Sequence, residues 1–336
     1  MVLVILTESN PLEGITTVFR RCFILLIPLS LVFCKYFPDI GRSQEKHFEP
    51  DTWIGVATHK NTLGPLTLLS TFYFLWEIVE NDKGIRLISM VYLLMSIYLL
   101  NGNSNNRSVT SITLLLVALS LYAFLRRYKS NPRRLRVVVT YSIIAIFTLV
   151  FLDQVALDGL LKNSLFQAQG RDPTLTGRSL LWNDLIALGM KNPILGYGFG
   201  GFWTPERMAY LKELHPWGPG ESHNGYIEIF ITTGIIGVII FCSVVITAMK
   251  GAFRQSTEYF EYGLFRLIFL IIVLVHNYSE AGFLRPTHLM WFVFLLMAVN
   301  ISYAQLRPLE SRIAGAQIQL RHKIINYRIH KLEDTR

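Results

Sequence analysis

Residues 176–203 read TGRSLLWNDLIALGMKNPILGYGFGGFW, and residues 221–230 read ESHNGYIEIF. Both belong to a polar, glycine-rich insert from Leu161 to Tyr226, in a chain otherwise made largely of apolar runs. A long loop between apolar segments is usually functional. Leu181, Trp182, Leu185, Ile186 and Gly189 recur at helical spacing, with Asn183, Asp184 and Lys191 pointing elsewhere. The spacing predicts a short amphipathic helix resting on a membrane surface, capped by Thr176 and stopped by Pro193.

The apolar runs on either side set the fold class. Of 336 residues, 51% are hydrophobic and 16% charged, with mean hydropathy +0.38. Those values exclude an ordinary soluble domain and predict an all-α, polytopic integral membrane protein. Eight apolar segments are expected to span, at 20–37, 63–80, 85–100, 108–126, 137–160, 226–249, 265–279 and 287–304. MVLVIL is too short for a signal-peptide core and Glu8 soon follows, so the first span is expected to be an uncleaved anchor. One membrane domain over 1–304 is predicted, with 161–225 as its large periplasmic loop and 305–336 as a basic cytoplasmic tail lying against anionic lipid.

The net charge of +9 sits mostly in short segments between apolar runs, which argues for cytoplasmic anchors and against nucleic acid. With the N-terminus inside, 20 of the 32 lysines and arginines fall on the cytoplasmic side. The connection Arg126–Arg136 alone holds six of them. Segments 38–62, 101–107, 161–225 and 280–286 then share the outer face, where they could build a composite site. Cys22, Cys34 and Cys242 lie in apolar runs without a CxxC pair and read as packing residues. There is no HExxH, P-loop or GxSxG pattern, so neither a metal nor a cofactor is expected.

Arg178 falls in the first turn of the expected helix, where free N–H groups and the helix dipole already favour an anion. A guanidinium there can grip a diphosphate bidentately, which lysine does less specifically. His223 precedes the sixth span and can accept a hydroxyl proton near neutral pH, with Glu221 as an alternative base. His59, Lys60, Arg107, Trp182 and Arg285 are further candidates for substrate binding, and Asn61 for a helix cap. His276, Asn277 and Glu280 mark the outer end of the seventh span. The glycines at 196, 198, 200 and 201 suit backbone bending near a ligand and not a dinucleotide fingerprint, because no strand precedes them. Phe199, Phe202 and Trp203 suit stacking on sugar rings and membrane-interface anchoring equally.

KYFPDIGR (35–42), WIGVATHKNTLG (53–64), TGRSLLW (176–182), NPILGYGFGGF (192–202) and HNGYIEIFITTGIIG (223–237), in this order, resemble the O-antigen ligase and polymerase-like membrane glycosyltransferases. NYSEAGFLRP (277–286) through Trp291 extends the likeness, and the HKNxLG element is most similar to the exopolysaccharide polymerization proteins. The resemblance covers about residues 20–300. It implies transmembrane helices around a large periplasmic loop in the bacterial inner membrane, with both termini cytoplasmic. It also implies transfer or polymerisation of undecaprenyl-diphosphate-linked glycan onto a glycan or lipid-core hydroxyl, inverting and without metal, beside polysaccharide export or chain-length proteins. The family's loop arginine and histidine map onto Arg178 and His223. The family usually has additional N-terminal spans, so a truncated member or a non-catalytic assembly subunit is a second alternative. A lipid-linked oligosaccharide flippase or polysaccharide exporter is the first. The mostly uncharged span centres favour an enzyme over a transporter.

Overall fold

A computed structural model describes residues 11–43, 51–57, 60–80, 83–102, 108–131, 133–135, 137–142, 145, 148 and 176–299. The described elements are all helical, in the order α1 (Pro11–Tyr36), α2 (Pro38–Gly41), α3 (Lys60–Glu80), α4 (Lys83–Asn101) and α5 (Val109–Arg126). Then follow α6 (Thr176–Gly189), α7 (Pro205–Leu214), α8 (Gly225–Glu258), α9 (Phe260–His276) and α10 (Leu289–Ala298). The extended backbone among them is one isolated bridge, Arg42 to Trp53. The chain divides into two compact units, Phe23–Ala298 and a second made of Met1–Cys22 with Val299–Arg336. Of the second, the described part is the start of α1 and Val299.

Four helices among the described residues are long and apolar enough to cross a membrane, at Glu13–Tyr36, Asn61–Glu80, Gly225–Thr257 and Phe260–Ser279. Ile85–Asn101, Thr110–Arg126 and Leu289–Ala298 are apolar but shorter. The chain is thus a helical, multi-pass membrane protein. Most of the expected fifth span, and the tail 305–336, lie outside the described residues. Two boundaries differ from the sequence expectation. The first helix starts at Pro11, ahead of Arg20 and Arg21, and the sixth continues to Glu258. Hydropathy locates the apolar core of a helix, whereas helical hydrogen bonding carries on through its polar ends.

Centre and periphery follow from burial. In α3 and α9, 78% of the apolar window is buried, against 22% in α8. Nearly every side chain of α9 from Tyr262 to Leu274 is enclosed, as expected for a helix apolar all round. Ile235, Ile236, Ile239 and Ile240 of α8 stay exposed, which suits lipid contact. Helix association among lipid tails rests on packing and interhelical hydrogen bonds more than on water release. Phe72, Tyr73 and Trp76 of α3 meet Phe265 of α9 at ring-centroid distances of 6.4, 6.2 and 4.4 Å. Ser70 and Ser96 join α3 to α4 at 3.0 Å. Glu77 accepts from Ser89 at 2.5 Å and from Tyr73 at 3.1 Å.

One end of the bundle is held by ions: Arg126 lies 3.0 Å from Glu80, and Lys129 lies 2.5 Å from Glu261. Arg266 is 1% exposed and donates to Met297 O, Ala298 O and Gln255 Oε1. It satisfies carbonyls that the end of α10 leaves without helical partners.

Helix α8 breaks at Gly234, whose φ of 64 and ψ of −165 are not helical. The break frees backbone groups that cannot remain unpaired in a bilayer. Residues 193–198 take them up. Tyr197 N donates to Ile231 O at 2.9 Å and Gly198 N to Thr232 O at 2.8 Å, while Ile235 N donates to Pro193 O at 2.8 Å and Ile236 N to Ile194 O at 3.3 Å. Within NPILGYGFGG, Gly196 therefore serves close backbone packing. A Cβ on Gly196 would stand 2.6 Å from Gly234 N.

Candidate active site

Helix α6 carries Arg178 and runs over Thr176–Gly189 as the spacing predicts. Its buried face is Leu181, Trp182 and Leu185; the two leucines pack with Phe202, Leu211 and Ile231, and Trp182 meets Tyr278 edge-on. Ile186, assigned to that face from sequence, is 43% exposed, because Leu181 and Leu185 already fill the contact with α8. Helix α7 was not anticipated, although Thr204-Pro205-Glu206 is a start signal: Thr204 accepts from Arg207 N and Pro205 opens the helix. Arg207 stacks on Tyr197 at 4.0 Å and donates to Gly201 O and Phe202 O, tying α7 to the glycine-rich turn.

The His223 loop is fixed on several sides. Asn224 caps α8, accepting from Tyr226 N at 2.9 Å and Ile227 N at 3.2 Å. Asn277, fully buried at the end of α9, accepts Gly225 N on its carbonyl at 2.7 Å and Gly282 N on its Oδ1 at 2.8 Å. It therefore staples the 223 loop to the 280–286 loop. Trp182 donates to Ser222 O at 2.8 Å and is 6% exposed. Trp182 was expected to bind substrate, but its buried indole supports the loop from behind. So held, His223 adopts φ 50, a left-handed backbone uncommon outside glycine. Strain of this kind gathers where a structure over-determines a functional group.

These contacts bring five charged side chains into a row. Arg178 donates to Ser279 O at 2.6 Å and lies 3.7 Å from Glu280. Glu280 Oε2 lies 3.8 Å from His223 Nδ1, and Glu221 Oε1 lies 2.9 Å from the same nitrogen. That Nδ1 is at ion-pair distance without an aligned hydrogen bond. Glu221 then pairs through Oε2 with Arg285. Asn61, inside the first turn of α3 and not at its cap, donates to Glu280 Oε1 at 3.2 Å. Three of the four polar segments expected to share a face, 38–62, 161–225 and 280–286, thus meet at one end of the bundle.

The row sets its own protonation. Burial works against the charged form of Glu221, but His223 and Arg285 outweigh it and hold the carboxyl at about 2. Burial likewise opposes an ionised Glu280, and His223 with Arg178 overcomes it, so its pKa is lowered. Burial also disfavours charge on His223, yet Glu221 and Glu280 prevail and raise its pKa above the ordinary histidine value. Burial, with Arg285 nearby, lowers that of His288. With His223 protonated, cations outnumber carboxylates in the row. One ligand atom each of Glu221, His223 and Glu280 lie within 4.8 Å of one another, a spacing that could hold a metal ion. Arg178 and Arg285 already partner the carboxylates, however, which makes the cluster better suited to an anion than to a dication.

His59 and Arg107 lie outside the described residues, as does the side chain of Lys60, which opens α3. Beside the row, on the Arg285 side, is a cavity of about 270 Å³ whose wall includes Phe199, Trp203, Glu228, Phe283 and Arg285. Trp203 donates to Glu228 Oε1 at 2.8 Å.

The model of the O-antigen ligase family matches residues 88–242. The exopolysaccharide production protein ExoQ of Rhizobium meliloti (strain 1021) is 24% identical over 281 residues, or 78% of this chain. The match takes in 62% of the relative's length. The chain is thus similar to the O-antigen ligases and to an exopolysaccharide production protein.

Proposed function

We propose that this chain is a membrane glycosyltransferase that moves glycan from an undecaprenyl-diphosphate carrier to a hydroxyl acceptor, in exopolysaccharide or O-antigen assembly. The observation that carries this reading is the charged row Arg178–Glu280–His223–Glu221–Arg285, built from three separate segments at one end of an apolar bundle. In this reading that end faces the periplasm, and both termini face the cytoplasm.

The acceptor oxygen attacks the anomeric carbon from the face opposite the diphosphate. The carbon–oxygen bond to the diphosphate breaks, and the bonding pair leaves with the carrier. Inversion follows from this single displacement. Arg178 stabilises the charge that grows on the leaving diphosphate, as preorganised donors do best in a site shielded from water. Arg178 supplies charge there that a metal would otherwise supply. His223 takes the acceptor proton, and Glu221 and Glu280 steady the imidazolium that results. Trp182, Asn224 and Asn277 are positioning residues.

The test is to give purified protein a carrier-linked glycan and a hydroxyl acceptor. A larger glycan together with free carrier diphosphate is expected. Movement of intact carrier-linked glycan across a vesicle membrane, with no carrier diphosphate released, would instead identify a transporter.

Two further results are expected. Arg178→Lys keeps the charge but loses the planar fork, so the KM for the carrier-linked donor should rise about tenfold. An unchanged donor KM would remove the arginine from the diphosphate. The second result concerns pH. A base works in its neutral form, so transfer should increase as pH rises through the pKa of His223, which lies above that of ordinary histidine. Glu221→Gln removes one of the carboxylates that favour the imidazolium, and the rising limb should move to lower pH. A limb that stays in place would mean that another group titrates.

A further inference from the structure

The cavity beside the row has a composition of its own. One wall is the glycine-rich turn with Phe199 and Trp203, the other is the 283–287 loop with Phe283 and Arg285, and Glu228 of α8 lies between them. Phe199 is 77% exposed, so its ring is open to a ligand in the cavity. Glu228 is buried, and it accepts from Trp203 Nε1 at 2.8 Å and from Ser222 N at 3.4 Å. An ionised carboxylate has about four acceptor directions, so lone pairs remain for hydroxyl donors. Leu284, in the opposite wall, has φ 59, and it and His223 are two of the three non-glycine residues with positive φ among the described residues.

The lining selects among occupants. A diphosphate would meet the buried Glu228 carboxylate. A polyprenyl chain would leave Glu228 and Arg285 facing hydrocarbon, which disfavours both. A pyranose fits, because its C–H face can lie on an aromatic ring while its hydroxyls bond to carboxylate and guanidinium. The order of contacts assigns which pyranose. Arg178 ends the row on one side of His223, and Arg285 ends it on the other, in the cavity wall.

We propose that this cavity is the acceptor subsite, holding the terminal sugar of the receiving glycan on Phe199 and Trp203, with Glu228 and Arg285 reading its hydroxyls. This rests on the glycosyl-transfer reading above, in that the diphosphate takes the Arg178 end. Through Ser222 and Glu221 the cavity is linked to the loop of the proposed base, so a bound sugar presents its hydroxyl toward His223.

The experiment uses the full chain in detergent and oligosaccharides released by mild acid from the host's own polysaccharide, with no carrier present. Calorimetry should show saturable binding to the native protein. Phe199→Ala, at an exposed position that the fold does not need, should weaken it about tenfold, as truncation of an aromatic anchor does. Glu228→Gln keeps an acceptor for Trp203 but loses the charge-assisted bonds, and should weaken binding similarly. In turnover both variants should raise the acceptor KM and leave the donor KM unchanged. Equal binding by native protein and Phe199→Ala, or a rise in donor KM alone, would overturn the assignment. Native protein that binds the oligosaccharide but transfers nothing would refute the transfer reading and leave the sugar site standing.

Discussion

His223→Asn is expected to reduce glycan transfer by roughly 10²–10⁴-fold while the protein stays folded and still binds the carrier-linked donor, the range for losing a positioned general base. Asparagine is the informative replacement because the position has φ 50. Asparagine tolerates the left-handed region far better than alanine does, so the backbone of the loop is kept and the imidazole alone is lost. The ring meets Trp217 at a centroid distance of 5.7 Å and pairs with Glu221, but the hydrogen bonds that hold the loop's backbone run through Trp182 to Ser222 O, Asn224 to the start of α8, and Asn277 to Gly225. Glu221 and Glu280 would lose a shared cation but keep Arg285 and Arg178. The decisive measurement is the rate of carrier-diphosphate release at saturating donor and acceptor. A rate within a few-fold of native would move the base role to Glu221 or Glu280. The pH profile would then lose no limb above neutrality, because carboxylates held low stay ionised throughout that range.

Arg178 and His223 could be singled out from sequence because each lies in a short, chemically distinctive stretch near an expected helix start. Their partners could not. Glu221 meets Arg285 across 64 residues and Asn61 meets Glu280 across 219, and no local pattern announces pairs made by helices returning to one end of a bundle. Trp182 was recognised as important, but its face was misjudged, since an indole that anchors a loop and one that stacks on a ligand have the same sequence signature. Helix α7 carried a readable start at Thr204-Pro205 but is only 10 residues long, inside a segment read as loop. The span count was the least legible part. Hydropathy alone does not distinguish α9, enclosed by protein, from α8, whose isoleucines are exposed. Sequence alone suggests that the glycines of 196–201 bend backbone near a ligand. Gly196 instead packs on the backbone of α8 at Gly234, within the apolar run ITTGIIG, where nothing marks a broken helix except the glycine itself.

That backbone contact carries a large expected effect on stability. Gly196→Ala should destabilise the fold by more than about 4 kcal/mol, beyond what most single substitutions do. Two terms add. Gly196 has φ +66, which by itself costs about 1–2 kcal/mol for an L side chain. The new Cβ would also stand 2.6 Å from Gly234 N, Thr232 C and Thr233 N, all backbone atoms that cannot rotate aside. Gly234→Ala should behave alike, because its Cβ meets the Ile194 carbonyl and stands 2.6 Å from Leu195 N. Separating the two segments to relieve the clash would strand the four backbone hydrogen bonds of the break, a heavy penalty at membrane depth. Gly198 and Gly220 supply the scale. Gly198 has φ +82 but no atom within 4 Å of its Cβ position, so Gly198→Ala should show the backbone term alone, about 1–2 kcal/mol. Gly220 has neither constraint, and Gly220→Ala should fall within about 0.5 kcal/mol of native. Thermal unfolding of the four variants in one detergent would rank them. If Gly196→Ala and Gly198→Ala melt together, the loop does not plug the break in α8, and the glycines would return to the role of flexible backbone near a ligand.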